Sequence, residues 1–387
     1  MNMPNLRMER SSKRMPNLRM ERSSKRMPNL RPGRKKTEEL ISKMTEMGLD
    51  ALVFVNNEPL LDTNIAYLTG FRGMLNGALV FTPDGTTLIT TGLDYSRAEK
   101  EAEADEIVKI PSSSGFYKFL GSKIKGYKKL GVIKNLFSVE MAEKMRLKLA
   151  ALEDVKPIMS KLRSVKTEGE IEAIRKAGRI CNKGLDIISG MLAREVTETE
   201  IAAELESELK KSGSEHLAFE TIVTSGKRSA LVHPAPPASQ KAVGRGLGLV
   251  DFGAVYDGYS TDVTVPFALG KINAKEEILI ETVISVWDEL RNLLKHGTKT
   301  SNLHDIYVNH MKRGGLEVRH SLGHGVGMDV HEYPSLSSPE SMLEEGMVVA
   351  VEPGAYLDGV GGCRLENTIL IKRKGYEMLT KSKLIRM

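Results

Sequence analysis

The 387-residue sequence predicts a larger α+β domain preceded by a smaller α/β domain. Three observations predict it. Capped amphipathic helices surround hairpin-forming, β-rich segments in the second half of the chain. Short apolar runs followed by helical patterns form a separate unit before them. The first 36 residues are polar and repetitive and contribute no core. The predicted divisions are therefore a tail at 1–36, an N-terminal domain at 37–158 and the larger domain at 159–387.

In the tail, MPNLRMERSSKR occupies 3–14, recurs at 15–26 and begins again at Met27. A twelve-residue repeat this polar is too short to bury a face and fits no solenoid period, so it reads as disordered. Residues 1–36 carry twelve Lys and Arg against two Glu, a charge of +10, so the other 351 residues hold −4 of the chain's +6. The basic character belongs to the tail. Clustered cations attract polyanions by counterion release, but nucleic acid is not an expected partner. The tail has no apolar segment of the secretory type, and Glu9 and Glu21 argue against a transit peptide.

In the N-terminal domain, ALVFVN, NIAYLTGF and GALVFTPDGTTLITT read as strands, the last folded at Pro83-Asp84-Gly85. Helical patterns follow at 94–104 and 138–150. The larger domain opens with a helix capped by Thr167 and Glu170, with Ile171, Ile174, Cys181, Leu185 and Ile188 as its apolar positions. Thr197 and Glu200 cap another, carrying Ile201, Leu205 and Leu209 and closed by Gly213. A third is expected over 274–296 before Gly297, with Trp287 as a packing residue.

The segment GLGLVDFGAVYDGYSTDVTVPF reads as a hairpin turning at Asp257-Gly258. A two-residue loop there sets Tyr256 opposite Tyr259 and Asp251 opposite Thr264, so that Asp262 approaches Asp251. Further on, one strand is expected to end at Glu352, and another to carry Arg364 and Glu366 on one face. His324 stands between Gly323 and Gly325, expected to let the backbone approach an occupied site, and His331 follows.

Asp251, Asp262, His324, Glu352 and Glu366 thus form a candidate metal constellation. Four ionised carboxylates together raise one another's pKa values unless cations neutralise them, and two dications would cancel their charge. Oxygen-rich ligation with one imidazole suits Mn, Co, Zn or Fe and not a thiolate zinc site. A bridged pair generates hydroxide from water at neutral pH.

The segments VDFGAVYDGYSTD, GHGVGMDVHE, VEPGAY, RLEN and SGKRSALVHPAPP resemble the pita-bread metallopeptidases, which include methionine aminopeptidase, aminopeptidase P and prolidase. NIAYLTGF resembles the creatinase/prolidase N-terminal domain, which favours the last two and implies a homodimer. The resemblance implies that Asp251 chelates one metal, that Asp262 and Glu366 bridge both, and that His324 and Glu352 complete the ligand set of the second metal. It gives Glu352 the proton relay, His233 and His331 the substrate carbonyl and oxyanion, and Arg364 the steadying of the site or of a substrate carboxylate. Two departures stand out: Val265 and Pro266 where an Arg is common, and Asn367 where an acid is frequent. Neither removes a ligand.

The expected function is a dinuclear-metal exopeptidase acting on an N-terminal residue followed by proline, a Xaa-Pro dipeptidase. Aminopeptidase P, acting on longer peptides, shares the site, and a non-catalytic peptide-binding relative is the reading of a different class. His216, His296, His304, His310 and His320 have no ligand spacing and read as structural or solvated. Two cysteines, Cys181 and Cys363, fit a reducing cytoplasm, and no apolar run is long enough to cross a membrane.

Overall fold

Ala51–Val55 is apolar at every position, the pattern of a strand covered on both faces. The computed structural model describes residues 32–57, 61–73, 76–110 and 115–387. In it, β1 (Ala51–Asn57) lies inside a six-stranded sheet of order β4-β3-β2-β1-β5-β6. Its neighbours are β2 (Asn76–Thr82), β3 (Gly85–Thr91), β4 (Glu106–Ile110), β5 (Leu130–Val132) and β6 (Leu152–Asp154). Ala51, Val53 and Val55 pack with Phe116, Leu120 and Met141 from α4 (Phe116–Lys123) and α5 (Val139–Lys144). Leu52 and Phe54 face the opposite way, toward α1 (Arg34–Met47), α2 (Thr63–Thr69), α3 (Gly92–Glu101) and α6 (Lys156–Ser164).

Several expectations change here. NIAYLTGF forms helix α2, not a strand: the Asp62 side chain accepts the Asn64 N–H, and Gly70 closes the turn at φ 72°. The 138–150 pattern yields only α5 and a short 3₁₀ turn at Leu149–Ala151. Most of the tail lies outside the described residues, but Arg34, Lys35 and Lys36 belong to α1. Lys36 is anchored, its Nζ donating to the Val165 carbonyl and lying 3.6 Å from Glu170.

The second domain begins with α7 (Glu168–Leu192) and α8 (Glu198–Lys211), both with the predicted capping boxes formed. They cover one face of a four-stranded sheet of order β19-β11-β8-β7. Its strands are β7 (Ile222–Ser225), β8 (Gly246–Phe252), β11 (Val263–Leu269) and β19 (Ile385–Arg386). Between β8 and β11, β9 (Val255–Tyr256) and β10 (Tyr259–Ser260) complete the hairpin. Asp257 and Gly258 form its loop, both with positive φ, and the predicted pairs Tyr256↔Tyr259 and Asp251↔Thr264 are present.

The second half supplies a five-stranded sheet of order β13-β12-β14-β17-β18. It contains β12 (Gly323–Gly325), β13 (Glu332–Ser335), β14 (Val348–Val351), β17 (Asn367–Lys372) and β18 (Gly375–Met378). A separate ribbon pairs β15 (Gly354–Leu357) with β16 (Gly361–Arg364). Helices α9 (Ala274–Leu290) and α10 (Thr300–Arg313) back them, with Trp287 buried in that core. Helix α9 stops six residues before the expected end at 296, its last turns loosening around Arg291–Leu294. Among the described residues, no helix is long and apolar enough to cross a membrane.

Arg364 and Glu366 do not share a strand as expected. The chain leaves the β15–β16 ribbon after Arg364 and enters the β14–β17 ladder at Asn367. Trp287 holds the crossing, its Nε1 donating to the Leu365 carbonyl at 2.7 Å.

An ion cluster joins the domains. Arg163 of α6 donates to Thr63 Oγ1 (2.8 Å) and Asn64 Oδ1 (3.0 Å), and to Asp329 (2.9 Å) and Glu332 (2.5 Å) of the catalytic domain. Lys166 stands 3.4 Å from the other Glu332 oxygen.

Candidate metal centre

The two sheets of the catalytic domain meet where the predicted residues converge. Asp251 leaves β8 beside Thr264 of β11, and Asp262 immediately precedes β11. Thr368 of β17 pins Asp262 from the other sheet, accepting its N–H (3.0 Å) and donating to its carbonyl (2.7 Å). Glu366 sits at the sheet crossing; its N–H donates to the Thr264 carbonyl (3.1 Å), and its carboxylate accepts the Thr264 hydroxyl (2.7 Å). His324 of β12 lies 3.6 Å from both Asp262 and Glu352 through Nε2. Its Nδ1 is 3.0 Å from the Gly325 carbonyl, which fixes the proton there and leaves the Nε2 lone pair facing the carboxylates.

The flanking glycines serve the sheet instead of the site. A Cβ on Gly323 would meet the Ala350 carbonyl at 2.1 Å, and one on Gly325 the Tyr333 carbonyl at 2.3 Å. They let β12 sit tightly between β13 and β14.

Three sets of ligand atoms lie within 4.8 Å of one another: Asp251–Asp262–Glu366, His324–Glu352–Glu366 and Asp262–His324–His331. His331, its ring centroid 4.2 Å from that of His324, thus stands as near as a ligand. His233 lines the same cavity, of about 450 Å³, together with the apolar Phe219, Ile222, Pro234 and Pro237. A second cavity of about 830 Å³ opens beyond His324 and His331 toward the N-terminal domain.

Of the residues that hold this floor in place, sequence reasoning named Arg364 but missed Tyr356 and His320. Arg364 donates NH2 to Asp251 (2.6 Å), Nε to Thr264 Oγ1 (3.1 Å) and NH1 to Tyr356 OH (2.8 Å). It is 2% exposed, steadies Asp251 and Thr264, and lines the floor of the cavity. Tyr356 passes the chain to His320 Nε2 (2.9 Å), whose Nδ1 lies 2.7 Å from the Ser321 carbonyl and 3.6 Å from Glu352. His320 is therefore part of the site, not a solvated or merely structural residue. Its helpful signal was Tyr356 in VEPGAY; only the fold reveals that the two touch.

Burial, then the neighbouring Asp251 and Glu352, push Asp262 well above the usual carboxylate range. Burial and the other three acids do the same to Glu366. Glu352 is raised to about 8 by burial, with Asp251 adding to the rise and Arg364 opposing it. Burial and His331 depress His324 to about 4, which keeps its imidazole neutral. One carboxylate oxygen, Asp251 Oδ1, is buried with no hydrogen-bond partner. An orphaned oxygen, crowded acids and a neutral imidazole with its lone pair aimed inward fit divalent cations: their charge would relieve the repulsion and they would accept the free lone pairs.

Buried acids of this kind at the base of a cavity define a metal-dependent hydrolytic enzyme. The chain belongs to metallopeptidase family M24, whose sequence pattern matches residues 172–373, and the creatinase/prolidase N-terminal domain matches residues 36–165. This bears out the resemblance and the pita-bread fold. A Xaa-Pro dipeptidase of Pyrococcus horikoshii is 34% identical over 355 residues, covering 90% of this chain and 97% of the relative. The crystal structure of the prolidase from Pyrococcus horikoshii superposes with a TM-score of 0.82 at 33% identity, over 90% of this chain and 99% of that one. The X-Pro aminopeptidase from Thermotoga maritima does so with a TM-score of 0.78 at 29% identity, over 91% and 100%.

Proposed function

We propose that this metallopeptidase is a Xaa-Pro dipeptidase with two divalent ions, Mn, Co, Zn or Fe, held by Asp251, Asp262, His324, Glu352 and Glu366. The observation that carries the proposal is the convergence of four acids and one imidazole beneath a cavity of peptide size. Asp262, Glu366 and His324 each belong to two of the three ligand groups, so adjoining ions would share residues; the family resemblance is what gives Asp262 and Glu366 the bridging roles. When bound, the ions polarise the scissile carbonyl and acidify water.

The remaining chemistry falls to side chains. Glu352 is the most exposed of the four acids and so the one able to exchange a proton with water and pass it to the leaving proline nitrogen. His233 and His331, both lining the cavity, orient the carbonyl and stabilise its developing negative charge. Arg364 holds Asp251 in place.

The larger second cavity, reached past His324 and His331, favours the other reading, aminopeptidase P, because it offers room for residues beyond a dipeptide. Hydrolysis of Met-Pro and Met-Pro-Ala, followed by mass spectrometry on protein loaded with Mn, Co or Zn, separates them. Cleavage confined to Met-Pro is the expected result; preference for the tripeptide means aminopeptidase P. An Asp262→Ala control should be inactive, and no metal-dependent cleavage of either peptide would revive the binding-module reading.

A cytoplasmic location is supported by Cys181 and Cys363, both buried free thiols. A homodimer follows from the family resemblance, and light scattering should return twice the chain's 42.7 kDa.

A further inference from the structure

Glu198, the first residue of α8, is 1% exposed and lies far from the ligand set in sequence, yet its carboxylate ties together both ends of one wall of the cavity. Oε1 accepts the Ser225 N–H (2.8 Å) and hydroxyl (3.1 Å). Oε2 accepts Arg228 Nε (2.9 Å) together with the Ser239 N–H (3.1 Å) and hydroxyl (2.7 Å). Arg228 then reaches over the same segment, donating NH1 to the Pro236 carbonyl (2.9 Å) and NH2 to the Pro237 carbonyl (3.0 Å).

Between these anchors runs the loop that supplies His233, Pro234, Ala235 and Pro237 to the cavity. Its backbone is held only toward one end: 231–241 contains no regular element, Leu231, His233, Ala235 and Pro236 are exposed, and the Pro237, Ser239 and Lys241 carbonyls accept the N–H groups of Val223 (3.1 Å), Thr199 (3.2 Å) and Glu198 (3.1 Å). None of these bonds falls at 232–236, the stretch that carries His233, and there side chains impose the shape. Five donors on one buried carboxylate, and an arginine spread over two proline carbonyls, do so here.

We infer that Glu198 and Arg228 are positioning residues that set the apolar wall and His233 against the second residue of the substrate, and so determine the preference for proline. The inference rests on the Xaa-Pro reading. Neither residue touches the ligand set, so their loss should alter selectivity without emptying the metal centre. A pocket wall displaced by about 1 Å costs on the order of 10²-fold in rate, and a mismatch of one or two methylenes is worth roughly 10- to 200-fold in discrimination.

The experiment compares kcat/KM for Met-Pro and Met-Ala in the parent, Glu198→Gln, Arg228→Ala and Arg228→Lys, with metal content and melting temperature read alongside. The expected result is a Met-Pro to Met-Ala ratio reduced about tenfold or more in Glu198→Gln and Arg228→Ala, with metal content unchanged. Added guanidinium should restore part of the ratio in Arg228→Ala. Variants that keep the parent's ratio, or that lose both substrates equally along with metal or stability, would overturn the inference, because the pair would then be structural only. A parent with no preference for Met-Pro is distinguishable from these, and would remove the Xaa-Pro reading and this inference together.

Discussion

Replacing Arg163 by Met tests how far the two domains depend on one buried charge. The side chain is 7% exposed and meets Glu332, itself 6% exposed. Burial alone would raise Glu332, but Arg163 and Lys166 beside it hold its carboxyl down at about 2, from an ordinary 4.5. A carboxyl ionised from that lower pH is worth about 3 kcal/mol at neutral pH. Mutational breakage of buried pairs costs roughly 3–5 kcal/mol; Lys166 remains as a second partner, so the lower end, about 3 kcal/mol, is the expected loss. Because the folded-state value is depressed, the contribution is full above pH 4.5 and disappears as pH falls toward 2. The difference between parent and Arg163→Met should therefore be roughly halved at pH 3 relative to pH 7. Urea unfolding of chelator-treated protein reads it through Trp287, the one tryptophan, which lies in the catalytic domain. A loss under about 1 kcal/mol at neutral pH would refute the reasoning, as would a gap that does not narrow in acid.

Other outcomes follow from the site. Thr264→Val removes the hydroxyl between Arg364 Nε and Glu366 and should weaken metal binding about 10- to 100-fold by titration, with little change in fold by circular dichroism. Asp262→Asn should lower metal content and abolish turnover, which elemental analysis beside a peptide assay checks. Without metal, Glu352, raised to about 8, binds more protons folded than unfolded. Stability of the chelated protein should accordingly fall as pH rises from about 4.5 to 8, and metal loading should cancel the slope; a chelated protein whose melting temperature rises over that range would contradict the crowded-acid account.

Much of this was readable before any coordinates, for local reasons. A two-residue loop at Asp257-Gly258 dictates the register of everything beside it, so Asp251↔Thr264 followed from counting. Capping boxes at Thr167 and Thr197 are short-range chemistry and formed as read. The largely apolar run NIAYLTGF misled because eight residues do not separate a helical from an alternating period; the Asp62 cap and Gly70 were the better guides. The break between Arg364 and Glu366 is set by what lies beside each, β15 for Arg364 and Thr264 of β11 for Glu366, with β14 pairing only from Asn367, and no local pattern encodes that. His320, Tyr356 and Glu198 were hidden for the same reason: their partners are remote in the chain.

The way the site spans the crossing between sheets bears on the order of events in folding. Thr264 and Glu366, which touch at the centre, are 102 positions apart, and Thr368 clasps Asp262 across 106. No short stretch of nascent chain can gather these oxygens, so a cation finds no high-affinity home until both sheets have docked. Metal should then leave the refolding rate of the catalytic domain nearly unchanged and act on the reverse step, slowing unfolding and lengthening the lifetime of the finished enzyme.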